Sequence, residues 1–195
     1  MDFKNAKELL SLCSEKKLPI SEVMRQREIL LGETTAQETD RRMDRVLSIM
    51  KDAAFSPVET PVISMGGLIG GEARALSLFQ SRGKSLCGDV LGKGITYAMA
   101  TLETNASMGL IVASPTAGSA GIVPGLILSL QEVYHFSDEQ VRQVLFNAGA
   151  VGYLAMRNAT VAGAVGGCQA EVGIASAMAA SAAVELMGGT PLQCT

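Results

Sequence analysis

A mainly α-helical fold, one helical domain with glycine-rich loops between the helices, is what this sequence predicts. Apolar residues recur at helical spacing, no run of alternating β-branched residues is long enough to build a sheet, and clusters of Gly, Ser and Pro separate the helical stretches. The 195 residues suffice for one sizeable core and not comfortably for two. Hydrophobic residues make up 48% while aromatics are only 4%, with 21 Gly and 10 Met, so the helices are expected to pack closely through small residues with Met filling gaps.

The elements follow in order. Ala6, Leu9, Leu10 and Cys13 are spaced for a first helix, Pro19 interrupts, and Ser21 with Met24 opens a second that Gly32 can cap. A third and longer helix is expected over 35–55, where Met43, Val46, Leu47 and Met50 form an apolar stripe between charged, solvated faces. These pieces make a helical arm, 1–56. The segment 57–195 is richer in Gly, Ser and short apolar residues, and no polar linker separates it from the arm. Within it helices are expected near 72–80, 90–104, 124–134, 139–154 and 165–187, and "SDEQ" at 137–140 has the spacing of a capping box. "PVISMGG" at 61–67 reads as a short strand or a loop, and its glycines favour the loop.

Composition also excludes classes of function. A net charge of −3 without a basic stripe argues against nucleic acid. The uncharged run 105–131 is long enough to cross a bilayer, but Pro115, Pro124, Thr116, Gly118, Ser119 and Gly121 break its middle, so a buried loop of a soluble protein is expected and no membrane. Four cysteines without CxxC spacing and no signal-like start point to free thiols in a reducing cytoplasm. One His and scattered Cys make no zinc set, and nothing links His135 to a cysteine for thiol hydrolysis.

Chemistry is expected in three glycine-rich segments: "SMGGLIGGEA" at 64–73, "SPTAGSAGIVPG" at 114–125 and "AGAVGGCQAE" at 162–171. None carries a phosphate fingerprint. In the second, Pro124 suits the first turn of a helix, so the loop brings backbone N–H groups beside the hydroxyls of Ser114, Thr116 and Ser119, a setting suited to a carboxylate. The bland alternative is a tight connection whose glycines only allow close packing. In the third, Cys168 follows Gly166 and Gly167 near a helix start, where the dipole favours a thiolate; a small buried hydrophobe is the commoner fate of a free cysteine.

These segments, with "ETNASMG" at 103–109 and "AGAVGGCQAEVGIASAMAA" at 162–180, resemble in sequence and order the alpha chain of bacterial iron–sulfur-dependent L-serine dehydratase, an L-serine ammonia-lyase. The resemblance covers essentially the whole chain. It implies β-elimination of water from L-serine to give pyruvate and ammonia, with a [4Fe-4S] cluster as Lewis acid and without pyridoxal phosphate. Cys168 matches the first of the family's three cluster cysteines, and the loop around Thr116, Gly118 and Ser119, with Ser64, Gly66, Gly67 and Asn105 as further wall, is expected to hold the substrate. The base is not identified; Lys93 and Glu103 are the ionisable groups nearest the motifs. The other two cluster cysteines have no match here, so the carboxyl end is expected to be truncated and the chain alone apo and inactive. A beta subunit or domain and self-association are the implied partners. An iron–sulfur cysteine desulfidase and a non-catalytic helical assembly subunit remain the alternatives.

Overall fold

A computed structural model describes residues 1–195, the side chain of Lys84 apart. Among the described residues there are helices and no β-strand. The helices are α1 (Ala6–Lys16), α2 (Ile20–Leu31), α3 (Ala36–Glu59), α4 (Glu72–Phe79), which runs into a π-helical turn (Gln80–Lys84), α5 (Gly88–Ala106), α6 (Ile122–Tyr134), α7 (Asp138–Asn158) and α8 (Gly163–Leu186). The mainly α class expected from periodicity is the one observed. The chain divides into two compact units, one of residues 1–45 and 137–195 and the other of 46–136.

The first unit is built on side chains. Phe3, Leu9, Cys13, Ile20, Val23, Phe146, Ala150 and Cys194 form its buried cluster. Phe3 meets Tyr153 edge to face at 5.4 Å between centroids, and the Arg27 guanidinium lies over the Tyr153 ring at 3.9 Å. Asn5 caps α1 by accepting from the Glu8 amide, and the expected capping box closes the start of α7, with Ser137 and Gln140 bonded reciprocally. The second helix begins one residue before the expected Ser21, at Ile20, because Ser21 is wholly buried. Its amide donates to Glu185 and its hydroxyl accepts from Gln143, which removes it from capping duty. Asn147, also fully buried, donates to Glu185 at 2.7 Å and accepts from Ser181 at 2.6 Å, so this polar core is paired.

The second unit is built on backbone approach. A Cβ placed at Gly125 of α6 would come 2.8 Å from the carbonyl oxygen of Gly94, and one at Gly121 would come 2.6 Å from that of Ala98. Only glycine lets α5 and α6 meet this closely. The expected packing through small residues is thus seen here, and Met178 fills the space beside Gly152 in the first unit. Pro124 lies in the first turn of α6, where its missing N–H costs nothing. Segment 61–67 is the loop its glycines favoured. It enters a turn in which the Ser64 amide donates to Ile69 and the Gly67 amide to Ser64. At Gly70, with φ +146°, a side chain would strike the Val62 carbonyl.

Candidate functional site

The end of α5 organises the glycine loops of the second unit. Three neighbouring residues there reach three different partners, because successive side chains on a helix point roughly 100° apart. Glu103 accepts the Ala73 amide at 2.8 Å, at the amino end of α4. Thr104 donates to the carbonyl of Ala53 in α3 at 2.9 Å. The Asn105 side-chain amide donates to the Ala117 carbonyl at 3.3 Å, inside the 114–119 loop. That loop is internally bonded: the hydroxyls of Thr116 and Ser119 lie 3.2 Å apart, and the Ser119 hydroxyl also donates to the Ser114 carbonyl. Ser114 and Ser119 are buried, while Ala117 and Gly118 at the tip are exposed.

The structure therefore brings Asn105, Thr116, Gly118 and Ser119 into one small region. Ser64, Gly66 and Gly67 form a separate turn, where the Ser64 hydroxyl accepts the Ile69 amide at 3.1 Å. The tip of that turn is exposed, with Met65 at 84% and Leu68 at 89% accessible. Its link to α5 passes through the start of α4. Glu72, the first residue of α4, accepts the Gly70 amide at 2.7 Å. Its own amide and that of Gly70 hold its carboxyl below the usual range against some burial.

Two of the buried side-chain atoms without a hydrogen-bond partner belong to these segments, Glu103 Oε2 and Ser114 Oγ. Such atoms are uncommon in folded proteins. Of the two ionisable groups nearest the motifs, Lys93 is paired with Glu132, which also accepts from the Tyr97 hydroxyl. Burial pushes Glu132 up and these two partners more than offset it, leaving it below the usual carboxylate range. Two cavities of about 430 Å³ adjoin this group, lined in common by Val58, Tyr97 and Glu132 and by none of the expected substrate residues. The sequence reading missed the burial of Glu103, though a signal existed: Glu103 continues the buried stripe Gly92, Thr96 and Ala100 of α5, a charged residue on an otherwise small and uncharged face.

Cys168 belongs to the first unit. Helical geometry is broken immediately before it, where Gly167 takes φ 76° and ψ 169°, so Cys168 opens the long part of α8 as the glycines suggested. The thiol is exposed, not a buried hydrophobe. A Cβ at Gly166 would lie 2.8 Å from both Thr160 and Ala170, and one at Gly163 would lie 2.6 Å from the Glu171 carboxylate, so the glycines let residues 160–163 fold back on the helix start. His135 is exposed and in left-handed backbone, closing α6.

Whether these residues fit an iron–sulfur cluster can be judged from the donor set. Cys13 and Cys194 are buried in the apolar cluster of the first unit. Burial, then Glu185 and Cys194, push the Cys13 thiol up to about 11, the opposite of what a ligand needs. No group of three or more His, Cys, Asp or Glu able to hold a metal occurs among the described residues. The described residues do not by themselves fit such a cluster. Nor is any helix among them long and apolar enough to cross a membrane.

Comparison with known proteins accords with the motifs. The chain is 46% identical over 191 residues to a probable L-serine dehydratase alpha chain of Bacillus subtilis, covering 98% of this chain and 63% of that protein. It is 38% identical over 185 residues to the L-serine dehydratase alpha chain of Peptoniphilus asaccharolyticus, with 95% and 63% covered. It is 33% identical over 197 residues to an L-serine dehydratase of Haemophilus influenzae, covering 98% of this chain but 43% of that protein. The chain thus spans less than two thirds of the length of these relatives. A family model described as serine dehydratase alpha chain matches residues 15–195, and the chain belongs to that family.

Proposed function

We propose that this chain is the alpha-chain part of an L-serine dehydratase, whose reaction removes water across the Cα–Cβ bond of L-serine. The aminoacrylate formed tautomerises to an imine, and water converts the imine to pyruvate and ammonia. The observation that carries the reading is the tie between Asn105 and the 114–119 loop, made by residues of two of the motifs that mark the family. The exposed tip at Ala117 and Gly118 offers backbone to the serine carboxylate, and the buried Ser119 hydroxyl, donating to the Ser114 carbonyl, holds the loop beneath it. Thr116 and Asn105 flank that tip, and the turn of Ser64, Gly66 and Gly67 supplies further wall.

Cys168 is the exposed thiol suited to serve as one ligand of the family's [4Fe-4S] cluster, and the remaining ligands come from outside the described residues. The chain alone is then apo and inactive. A beta chain or domain and further copies of this chain are its partners in the same proposal, and exposed Met65, Leu68 and Leu86 offer apolar surface for them.

The test is anaerobic loading of the complete dehydratase with iron and sulfide, followed by pyruvate release from L-serine, beside its Cys168→Ser variant. Turnover and cluster absorbance are expected in the unaltered enzyme, with both lost in the variant. Elimination from L-cysteine in place of L-serine would convert the reading to a desulfidase; no iron uptake by either would leave an assembly subunit.

A further inference from the structure

We propose that Glu103 is a positioning residue of the serine site, fastening the amino end of α4, and with it the turn at 64–71, to the helix end that carries Asn105. The proposal rests on the dehydratase reading above and goes beyond it in naming what holds the two walls of the site together.

The amino end of α4 needs an acceptor for its first amides, and its own cap cannot supply one, since Gly71 has no side chain and sits in left-handed backbone at φ 93°. Glu103 supplies it from α5, 30 residues away in sequence, through Oε1 and the Ala73 amide. For stability alone this is an expensive solution. A Ser or Asp cap in extended backbone would satisfy such an amide locally, but the left-handed backbone at Gly71 excludes one, and the distant Glu103 is 3% exposed and leaves Oε2 buried without a hydrogen-bond partner. What the distant carboxylate adds is connection. Residues 103, 104 and 105 together tie α4, α3 and the 114–119 loop to one helix end. Loss of the Glu103 contact frees the 64–71 turn while leaving the Asn105 contact in place.

The complete iron-loaded enzyme carrying Glu103→Ala is expected to show a KM for L-serine raised about tenfold or more, with kcat changed less than threefold. Glu103→Gln keeps an oxygen for the Ala73 amide and places an N–H₂ in the corner of Oε2, so its KM is expected within about threefold of the unaltered value. Hydrogen exchange of the Ala73 amide gives a readout independent of turnover, with protection lost in Glu103→Ala and kept in Glu103→Gln. If the Ala variant does not fold, Glu103→Asp, one methylene too short to reach, takes its place with the same expected direction. An unchanged KM in the Ala or Asp variant overturns the proposal. So does an inactive, folded Gln variant, which would make Glu103 a proton-transfer group. An unaltered enzyme that makes no pyruvate from L-serine defeats the dehydratase reading instead, and the exchange of Ala73 then decides the clamp by itself.

Discussion

The two units of this molecule solve the packing of helices in opposite ways. In the first, large side chains such as Phe3, Leu9, Ile20 and Phe146 fill the space between elements. In the second, α5 and α6 come together over Gly94, Ala98, Gly121 and Gly125, so that backbone rather than side chain makes the contact. The difference teaches where each unit tolerates change. A side-chain core loses stability when atoms are removed, and a backbone contact loses it when atoms are added.

The largest effect that would sharpen this contrast is Phe3→Ala, which empties a fully buried site and removes the Tyr153 edge contact. It is expected to cost about 4 kcal/mol in denaturant unfolding. A loss below about 1 kcal/mol would break the description of that core. Next comes a matched pair of glycine substitutions. Gly125→Ala meets a fixed carbonyl and is expected to cost about 2 to 3 kcal/mol. Gly152→Ala meets the flexible end of Met178 at 3.1 Å, which can swing aside, and is expected to cost about 1 kcal/mol or less. Equal costs at the two positions would erase the distinction between backbone and side-chain contact.

The smallest expected effect is electrostatic. Arg25 grips Asp40 through two bonds, of 2.6 and 2.7 Å, and this holds the Asp40 carboxyl below its usual range despite some burial. Because the folded-state value is depressed, the stabilisation is fully present above the unfolded value of about 3.9 and is lost as pH falls through the folded one. A gain of about 1 kcal/mol at pH 7 in the unaltered chain over Asp40→Asn, vanishing in strong acid, is the expected result of paired thermal melts. A difference that persisted at pH 2 would assign the effect to packing rather than charge.

Much of this was legible beforehand, and for local reasons. Helix positions followed from spacing, the Ser137 capping box from residues three apart, and the place of Cys168 near a helix start from two adjacent glycines, whereas the break at Gly167 falls inside the helix expected over 165–187. Boundaries were less so. Helix α3 continues to Glu59 through Pro57, whose missing N–H leaves the Ala53 carbonyl to the Thr104 hydroxyl, and α6 begins at Ile122 with Pro124 in its first turn, where no N–H is needed. The site was legible as motifs but not as bonds. That Ser119 is turned into its own loop, or that Asn105 reaches Ala117, depends on how the segments pack.

By itself the sequence determined the helical class, the order of elements and the family, because these rest on short-range backbone preference and on motif, whereas the exposure of Cys168 came from the tertiary structure. Only the tertiary structure set the surroundings of Lys93 and Glu103 apart. One is paired with Glu132 and the other is buried against Ala73 with an oxygen to spare. A residue's charge is written in the chain, but its desolvation and its partners are set by groups 30 or more positions away, and folding alone brings those together.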